Sequence, residues 1–305
     1  MKKCTIIYNP KSGKKLKSDL FEKLTDVLLE HGYDSNIIYT EYKGHAKDIV
    51  SSLPNRDLLI SMGGDGTFSE VVSANVKRQK PLLLAHLPQG TTNDIAAMYG
   101  YSNNIVENLK EILEGMKKYV DICTINGQVF TYSACFGKFA SIPYETPVKL
   151  KKKIGYLAYV LYGIKSLVKR ARLYDIEFFV NGEKKQGKYT FAIISNADRI
   201  AGIDNVYHDI KLDDDRFEIL LCTLTTKAQV LKSVRYLLTR DIPKAPGFEF
   251  YRSNKIVMNF NNKLEKNWCI DGDEFEDSSE QFVIENKYKV RLLLPKKNLN
   301  RLFKK

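Results

Sequence analysis

Short apolar runs alternate with amphipathic stretches through roughly the first 120 residues, a spacing that predicts strands and helices in turn. CTIIY (Cys4 to Tyr8) reads as a buried strand, and Leu20 to Leu29 as an amphipathic helix closed by Gly32. NIIY (Asn36 to Tyr39) predicts a second strand and Ala46 to Leu53 a second helix. Leu58 to Met62, Ser69 to Val76 and Leu82 to Leu87 continue as strand, helix and strand, and Asp94 opens a further helix. Apolar strands this short, each separated from the next by a helix, predict a parallel sheet covered on both faces.

After about Asn126 the pattern changes. TYSACF, YDIEFFV, YTFAIIS, RFEILLCTL, KIVMNF and QFVIE are β-rich runs, several bounded by Asn, Asp or Gly. VNGE (Val180 to Glu183) carries the Asn-Gly signal of a two-residue hairpin. The expectation is an antiparallel β-sandwich interrupted by helices near 150–172 and 227–239. The boundary between the two halves falls near Val120 to Gly127, and there is no internal repeat or low-complexity linker.

Composition adds three constraints. A chain of 305 residues, 44% hydrophobic and 28% charged, is globular and suits two domains. The 48 Lys and Arg against 36 Asp and Glu leave a net charge of +12, which favours polyanionic partners without choosing among them. Five cysteines (Cys4, Cys123, Cys135, Cys222 and Cys269) show no CxxC or Cys/His clustering, so they read as reduced, packed thiols rather than a metal or disulfide framework. No apolar core follows the N-terminal lysines, as a signal peptide would require. No run approaches the roughly 18 apolar residues of a spanning helix. The expected location is cytoplasmic, with any membrane contact peripheral.

Candidate chemistry lies in three loops, each at the carboxyl end of a predicted strand: NPKSG (Asn9 to Gly13), GGDGT (Gly63 to Thr67) and PQGTTND (Pro88 to Asp94). That edge of an open parallel sheet is where ligands bind. Glycines there expose backbone N–H groups which, with a following helix N-terminus, make an anion cradle. Ser12, Thr67 and Thr91 can add hydroxyl donors to a phosphate, leaving Asp65 and Asp94 to hold Mg²⁺. One glycine-rich turn alone is more often only a turn; three in one α/β domain carry weight together.

A fourth element, WCIDGDEF (Trp268 to Phe275), places Asp271 and Asp273 around Gly272. On local grounds it is a β-turn as readily as a functional site. Its functional reading is a carboxylate that accepts the proton of an attacking hydroxyl, as phosphoryl-transfer enzymes arrange.

NPxSG, GGDGT, PxGTxND and a late Asp-Gly-acidic motif, in this order, resemble the diacylglycerol kinase catalytic family, most closely its soluble bacterial lipid kinases related to sphingosine and ceramide kinases. The resemblance spans essentially the whole chain. It implies an α/β, Rossmann-like or NAD-kinase-like nucleotide domain with a parallel sheet over 1–126, completed by 296–305. A β-sandwich lipid-substrate domain over 127–295 would follow, with ATP held in the cleft between the two. By position, ATP would lie on Asn9, Pro10, Lys11, Ser12 and Gly13, on Thr40 of the YTEYKGHA stretch, on Gly63, Gly64, Asp65, Gly66, Thr67, Phe68 and Ser69, and on Thr91. Asp65, Asp94 and Asp271 would join a Mg²⁺-water network, and Asp273 would be the general base. KLDDDRF matches a second, structural Mg²⁺ site, with the Asp214 carboxylate and the carbonyls of Lys211 and Arg216 as ligands. A solvated acidic turn is nearly as good a reading of that stretch.

Three positions depart from the family pattern. The late motif is usually Asp-Gly-Glu, so Asp273 is one methylene shorter, about 1.5 Å of lost reach. The loop moves inward, Glu274 substitutes, or activity is reduced; the expectation taken here is Asp273 as base. Ser69 stands where Asn is usual, and Asp215 where KLDDDRF-type motifs carry Gly.

Between Lys149 and Arg172, Ile154, Leu157, Leu161, Ile164 and Val168 form an apolar helical stripe, with Lys165, Lys169 and Arg172 on another face. This reads as a helix packed on the sandwich and also as a basic rim for an anionic membrane, each cation contributing on the order of 1 kcal/mol. The expected partner is therefore a lipid substrate, most directly diacylglycerol. Rival readings keep the fold with a sphingoid, other lipid or NAD-like acceptor, or make the chain a catalytically weak lipid- or nucleotide-binding regulator. A nucleic-acid partner is not expected, for want of a recognition motif. Pairing of two sandwich domains through an edge strand, giving a homodimer, stays open.

Overall fold

The computed structural model describes residues 1–137, 172–262 and 267–304, except 14, 15, 17, 201, 202, 205, 227, 230, 231, 234, 235 and 237–241. The expected helix over 150–172 lies outside the described residues save for its last position, and most of that at 227–239 does too. The chain divides into two compact units. One comprises Met1–Ile122, Lys211–Asp214 and Tyr288–Lys305; the other comprises Cys123–Ile210 and Asp215–Lys287.

The first unit begins β1 (Lys2–Tyr8), α1 (Ser18–Glu30), β2 (Tyr33–Tyr39), α2 (His45–Ser52), β3 (Leu58–Gly63), α3 (Asp65–Asn75) and β4 (Leu84–Pro88). Then follow α4 (Asp94–Met98), α5 (Ile105–Leu113) and β5 (Met116–Ile125), whose last residues belong to the second unit. Its sheet runs β2-β1-β3-β4, all parallel. The buried faces of Cys4, Ile6, Tyr8, Leu58, Ile60 and Met62 pack against Leu24, Val27 and Leu28 of α1 and Leu109 and Ile112 of α5. The chain's end returns to this sheet, where Leu292 lies parallel to Leu84. A short helix (Leu299–Leu302) then buries Leu302 and Phe303. This is the α/β fold with a parallel sheet that the apolar spacing predicts.

The second unit contains β6 (Gln128–Phe130), β7 (Ser133–Gly137), β8 (Tyr174–Val180), β9 (Glu183–Tyr189), β10 (Phe191–Ser195), β11 (Arg199–Ile200), β12 (Ile203–Asp204), β13 (Phe217–Cys222), β14 (Phe248–Ser253), β15 (Lys255–Phe260), β16 (Trp268–Ile270) and β17 (Asp273–Phe275). It also holds the first half of β18 (Gln281–Leu294). One sheet runs β18-β15-β8-β9 and the other β14-β13-β10-β7-β16-β17. Period-two alternation puts Ile176, Phe178, Ile256, Met258, Phe282 and Ile284 of the first against Phe136, Ala192, Ile194, Phe217, Ile219 and Trp268 of the second, one continuous sandwich core.

Three tight hairpins share one device, a residue-Gly pair with positive φ at both positions. They are Asn126-Gly127 (46° and 82°), Asn181-Gly182 (52° and 81°) and Asp271-Gly272 (48° and 95°). Two successive left-handed residues define the type I′ turn that matches strand twist. VNGE therefore forms the hairpin its sequence predicts, joining Val180 to Glu183.

Candidate active site

In the first unit the three glycine-rich loops meet backbone to backbone. The Asn9 N–H donates to the Met62 carbonyl at 2.9 Å, and the Gln89 N–H to the Gly63 carbonyl at 2.6 Å. Asn9 Nδ2 donates to Thr67 Oγ1 at 2.9 Å, while Asn9 Oδ1 accepts the N–H of Lys11. Ser12 Oγ accepts the Gly64 N–H at 3.3 Å. The glycines are required by space. A Cβ on Gly13, whose φ is +66°, would stand 1.8 Å from the Gln89 carbonyl oxygen. A Cβ on Gly90 would stand 2.7 Å from Cα of Gly64. Loops packed this closely at the start of a helix leave room for phosphate oxygens to approach its N-terminus.

Helix α3 begins at Asp65, four residues before the expected Ser69, because Gly64 serves as its N-cap. Asp65 accordingly sits in the first helical turn, where a carboxylate is stabilised by the helix dipole. Its two oxygens accept the N–H groups of Asp94 at 2.9 Å and Ile95 at 3.2 Å, the opening of α4. GGDGT and GTTND are thus joined by one carboxylate, and Asp94 is buried beside it. Thr40, also buried, donates its N–H to the Tyr8 carbonyl at 2.9 Å, at the mouth of the β1 and β2 strand ends. Phe68 and Thr67 are buried, Ser69 is half-buried, and Pro10, Lys11 and Thr91 are exposed.

Sequence reasoning missed the residues that tie these loops together. Glu70 accepts the Gly44 N–H at 2.9 Å and so binds the TEYKGHA stretch to α3. Asn93, in the left-handed region at φ 49°, closes the PQGTTND loop on Gly90 through both side-chain atoms. An Asn before a helix-opening Asp was a legible signal for that loop. Beneath the cradle, buried His86 pairs in register with Ser61, hydrogen-bonds its carbonyl through Nδ1 at 3.1 Å, and packs its ring 4.9 Å from Phe68. Burial holds its pKa down to about 4, so the ring is neutral at physiological pH.

In the second unit Asp271 is 8% exposed and its carboxylate accepts four hydrogen bonds. The donors are the N–H groups of Thr131 (2.6 Å), Tyr132 (3.0 Å) and Ser133 (3.1 Å), and the Thr131 hydroxyl (2.7 Å). The turn reading of WCIDGDEF therefore holds, with the first carboxylate of the turn buried against Thr131–Ser133. Asp273, two residues on, is exposed at the start of β17. The Glu274 carboxylate is engaged by Asn267 Nδ2 at 3.0 Å.

Of the KLDDDRF residues, Lys211 donates through Nζ to the carbonyls of Asn300 and Arg301 at 3.2 and 2.7 Å. Asp213 accepts the Lys304 N–H at 2.8 Å. Asp214 is half-buried and Arg216 exposed. Asp215 adopts φ +65°, the left-handed shape for which the motif usually supplies glycine. Among the described residues no group of three or more His, Cys, Asp or Glu side chains converges to hold a metal ion.

A family model described as the diacylglycerol kinase catalytic domain matches residues 3–125. The diacylglycerol kinase of Bacillus subtilis (strain 168) is 27% identical over 306 residues, covering 99% of each chain. That of Staphylococcus saprophyticus is 30% identical over 278 residues, 89% of each chain. The crystal structure of a diacylglycerol kinase from Bacillus anthracis superposes with a TM-score of 0.72 at 18% identity, over 96% of this chain and 97% of that one. At that identity the superposition speaks for the fold.

Proposed function

The chain belongs to the diacylglycerol kinase family, and from that membership we propose that it transfers the γ-phosphate of ATP to the hydroxyl of diacylglycerol, giving phosphatidic acid. It is a kinase with a lipid-kinase lineage; the acceptor and the residue roles are the proposal. The observation that carries it is the meeting of three glycine-rich loops in the first unit, with Gly13, Gly64 and Gly90 in backbone contact that a methyl group would block. Amides and hydroxyls of Asn9 to Gly13, Thr40, Gly63 to Ser69 and Thr91 hold the nucleotide in this reading. Mg²⁺, when bound, spreads the charge that builds on the transferred phosphoryl group. Asp65, Asp94 and Asp271 orient its water shell. Asp273 takes the proton of the acceptor hydroxyl as that oxygen attacks phosphorus and ADP leaves. Exposure of Asp273, and the bond that occupies Glu274, favour Asp273 as the base.

The Asp214 carboxylate with the carbonyls of Lys211 and Arg216 forms the structural Mg²⁺ site of the same reading, the left-handed Asp215 supplying the backbone shape. The test is a panel of lipids in mixed micelles with labelled ATP and Mg²⁺, each product identified by mass. Labelled phosphatidic acid is expected, and Asp273→Asn lowers kcat at least 100-fold, as misplaced or lost proton acceptors do. Binding of an ATP analogue by that variant stays within twofold. No labelled lipid from any acceptor, or a variant that keeps its turnover, would overturn the assignment.

A further inference from the structure

Beside Asp271 stands a pair of side chains with no part in that reaction. Cys269 of β16 lies directly opposite Cys135 of β7. Opposite residues of an antiparallel pair project from the same face, so the two thiols stand side by side. The same strands fix Asp271, whose N–H donates to the Ser133 carbonyl at 2.8 Å. That bond marks Asp271 and Ser133 as a hydrogen-bonding position of the ladder, although the Ser133 N–H turns to the Asp271 carboxylate. Two residues along each strand, Cys269 and Cys135 are a pair of the same class, with Cα atoms about 5.5 Å apart.

Such a separation lies inside the range of about 4.4–6.8 Å that a disulfide spans. The Cβ atoms of opposite residues, about 4.5–5.5 Å apart, must close to about 3.5–4.5 Å for the bond to form. Strands β16 and β7 would have to draw together. β16 is three residues long and next to last in its sheet, so few ladder bonds oppose that movement. A bond made under that strain is readily reduced, the mark of a switch rather than a staple. The other cysteines have no such neighbour in register: Cys4 faces Ser35 and Leu58, Cys123 faces Phe130, and Cys222 faces Phe191 and Phe248.

We propose that Cys135 and Cys269 are a thiol–disulfide modification site, joined reversibly by a small-molecule disulfide of the glutathione type, and that joining them loosens Asp271 from the Thr131–Ser133 amides. The neighbouring Cys269 and burial hold the Cys135 thiol well above its ordinary pKa, so the attacking thiolate is scarce and the exchange slow. Once formed, one cysteine thiolate attacks the small disulfide, forming a mixed disulfide and releasing one thiol. The second cysteine attacks the protein sulfur of that bond and releases the other thiol. The cysteines give up two electrons and two protons, and the small disulfide takes up both. An effect on turnover rests on the role given to Asp271 above; the thiol site does not.

The experiment equilibrates the full-length protein in glutathione redox buffers, traps free thiols, and maps cross-linked peptides by mass. A Cys135–Cys269 link is expected, absent from Cys135→Ser and reversed by dithiothreitol. Amide exchange at Thr131, Tyr132 and Ser133 rises at least about tenfold in the linked form. No link at any glutathione ratio, or a link that leaves exchange unchanged, overturns the proposal. Lipid phosphorylation by the same samples is expected to fall about tenfold in the linked wild type and to hold in Cys135→Ser. Full turnover alongside raised exchange would remove Asp271 from the reaction and leave the thiol site standing.

Discussion

His86 shows how one buried side chain can govern behaviour in acid. Its Nδ1 carries the proton given to the Ser61 carbonyl, so Nε2 is the bare acceptor, and it has no partner in the interior of the first unit. A second proton would place a charge against Ser61 and Phe68 with nothing to compensate it. The folded pKa of about 4 lies below the ordinary value of 6.5, so only the unfolded chain takes up a proton between the two. Stability therefore falls as pH drops from 6.5 towards 4 and levels below it, with a total loss of about 3 kcal/mol. Urea midpoints between pH 7 and 4.5 check this. The wild type is expected to lose about 1 kcal/mol more per pH unit than His86→Gln over that window. Equal slopes would mean that the ring is charged in the native fold. Asp271 is the opposite case, a buried charge with four donors around it, which is what lets a carboxylate stay inside.

At the scale of elements, glycine is required at different turns for different reasons, and substitution separates those reasons. Gly13→Ala meets both a left-handed φ and the Gln89 carbonyl, whereas Gly32→Ala, at φ +79° with nothing within 4 Å, meets the backbone term alone. Gly32→Ala is expected to cost about 1 kcal/mol and leave nucleotide affinity unchanged. Gly13→Ala should weaken binding of a fluorescent ATP analogue at least tenfold, and equal affinity in the two variants would disprove the close approach. These loops were legible in the sequence because short apolar strands end where the glycines begin. The sandwich was legible from period-two alternation, and the hairpin at Asn181-Gly182 from its turn residues. α5 and β5 went unseen because SNN reads locally as a turn, although Asn104 caps IVENLKEIL by accepting the Val106 and Glu107 N–H groups and Gly115 separates it from MKKYVDICTI. The start of α3 was misplaced because glycine and threonine are weak helix formers, and here the N-cap geometry of Gly64 outweighs that preference. The cradle around Asp271 was invisible for another reason. Thr131 and Asp271 are 140 positions apart, and only strand pairing brings TYS to DG.

For the whole molecule, the net charge of +12 sets how it would meet a lipid. No helix among the described residues is long and apolar enough to cross a membrane. Binding through scattered cations is screened by salt, since the Debye length shrinks from about 10 Å at 0.1 M to about 3 Å at 1 M. The protein is expected to cosediment with phosphatidylglycerol vesicles at low salt, to leave them near 1 M, and to ignore phosphatidylcholine throughout. Retention at high salt would point to inserted apolar side chains instead. Chain order has a consequence of its own. The first unit draws on three separate stretches, and its β4 strand receives Leu292 only from the last twentieth of the chain. While the ribosome is still making the protein, that sheet waits with a bare edge, and the glycine-rich loops at its rim stand on an unfinished support. A chain that stops before Leu292 would carry its earliest-made unit without that partner strand.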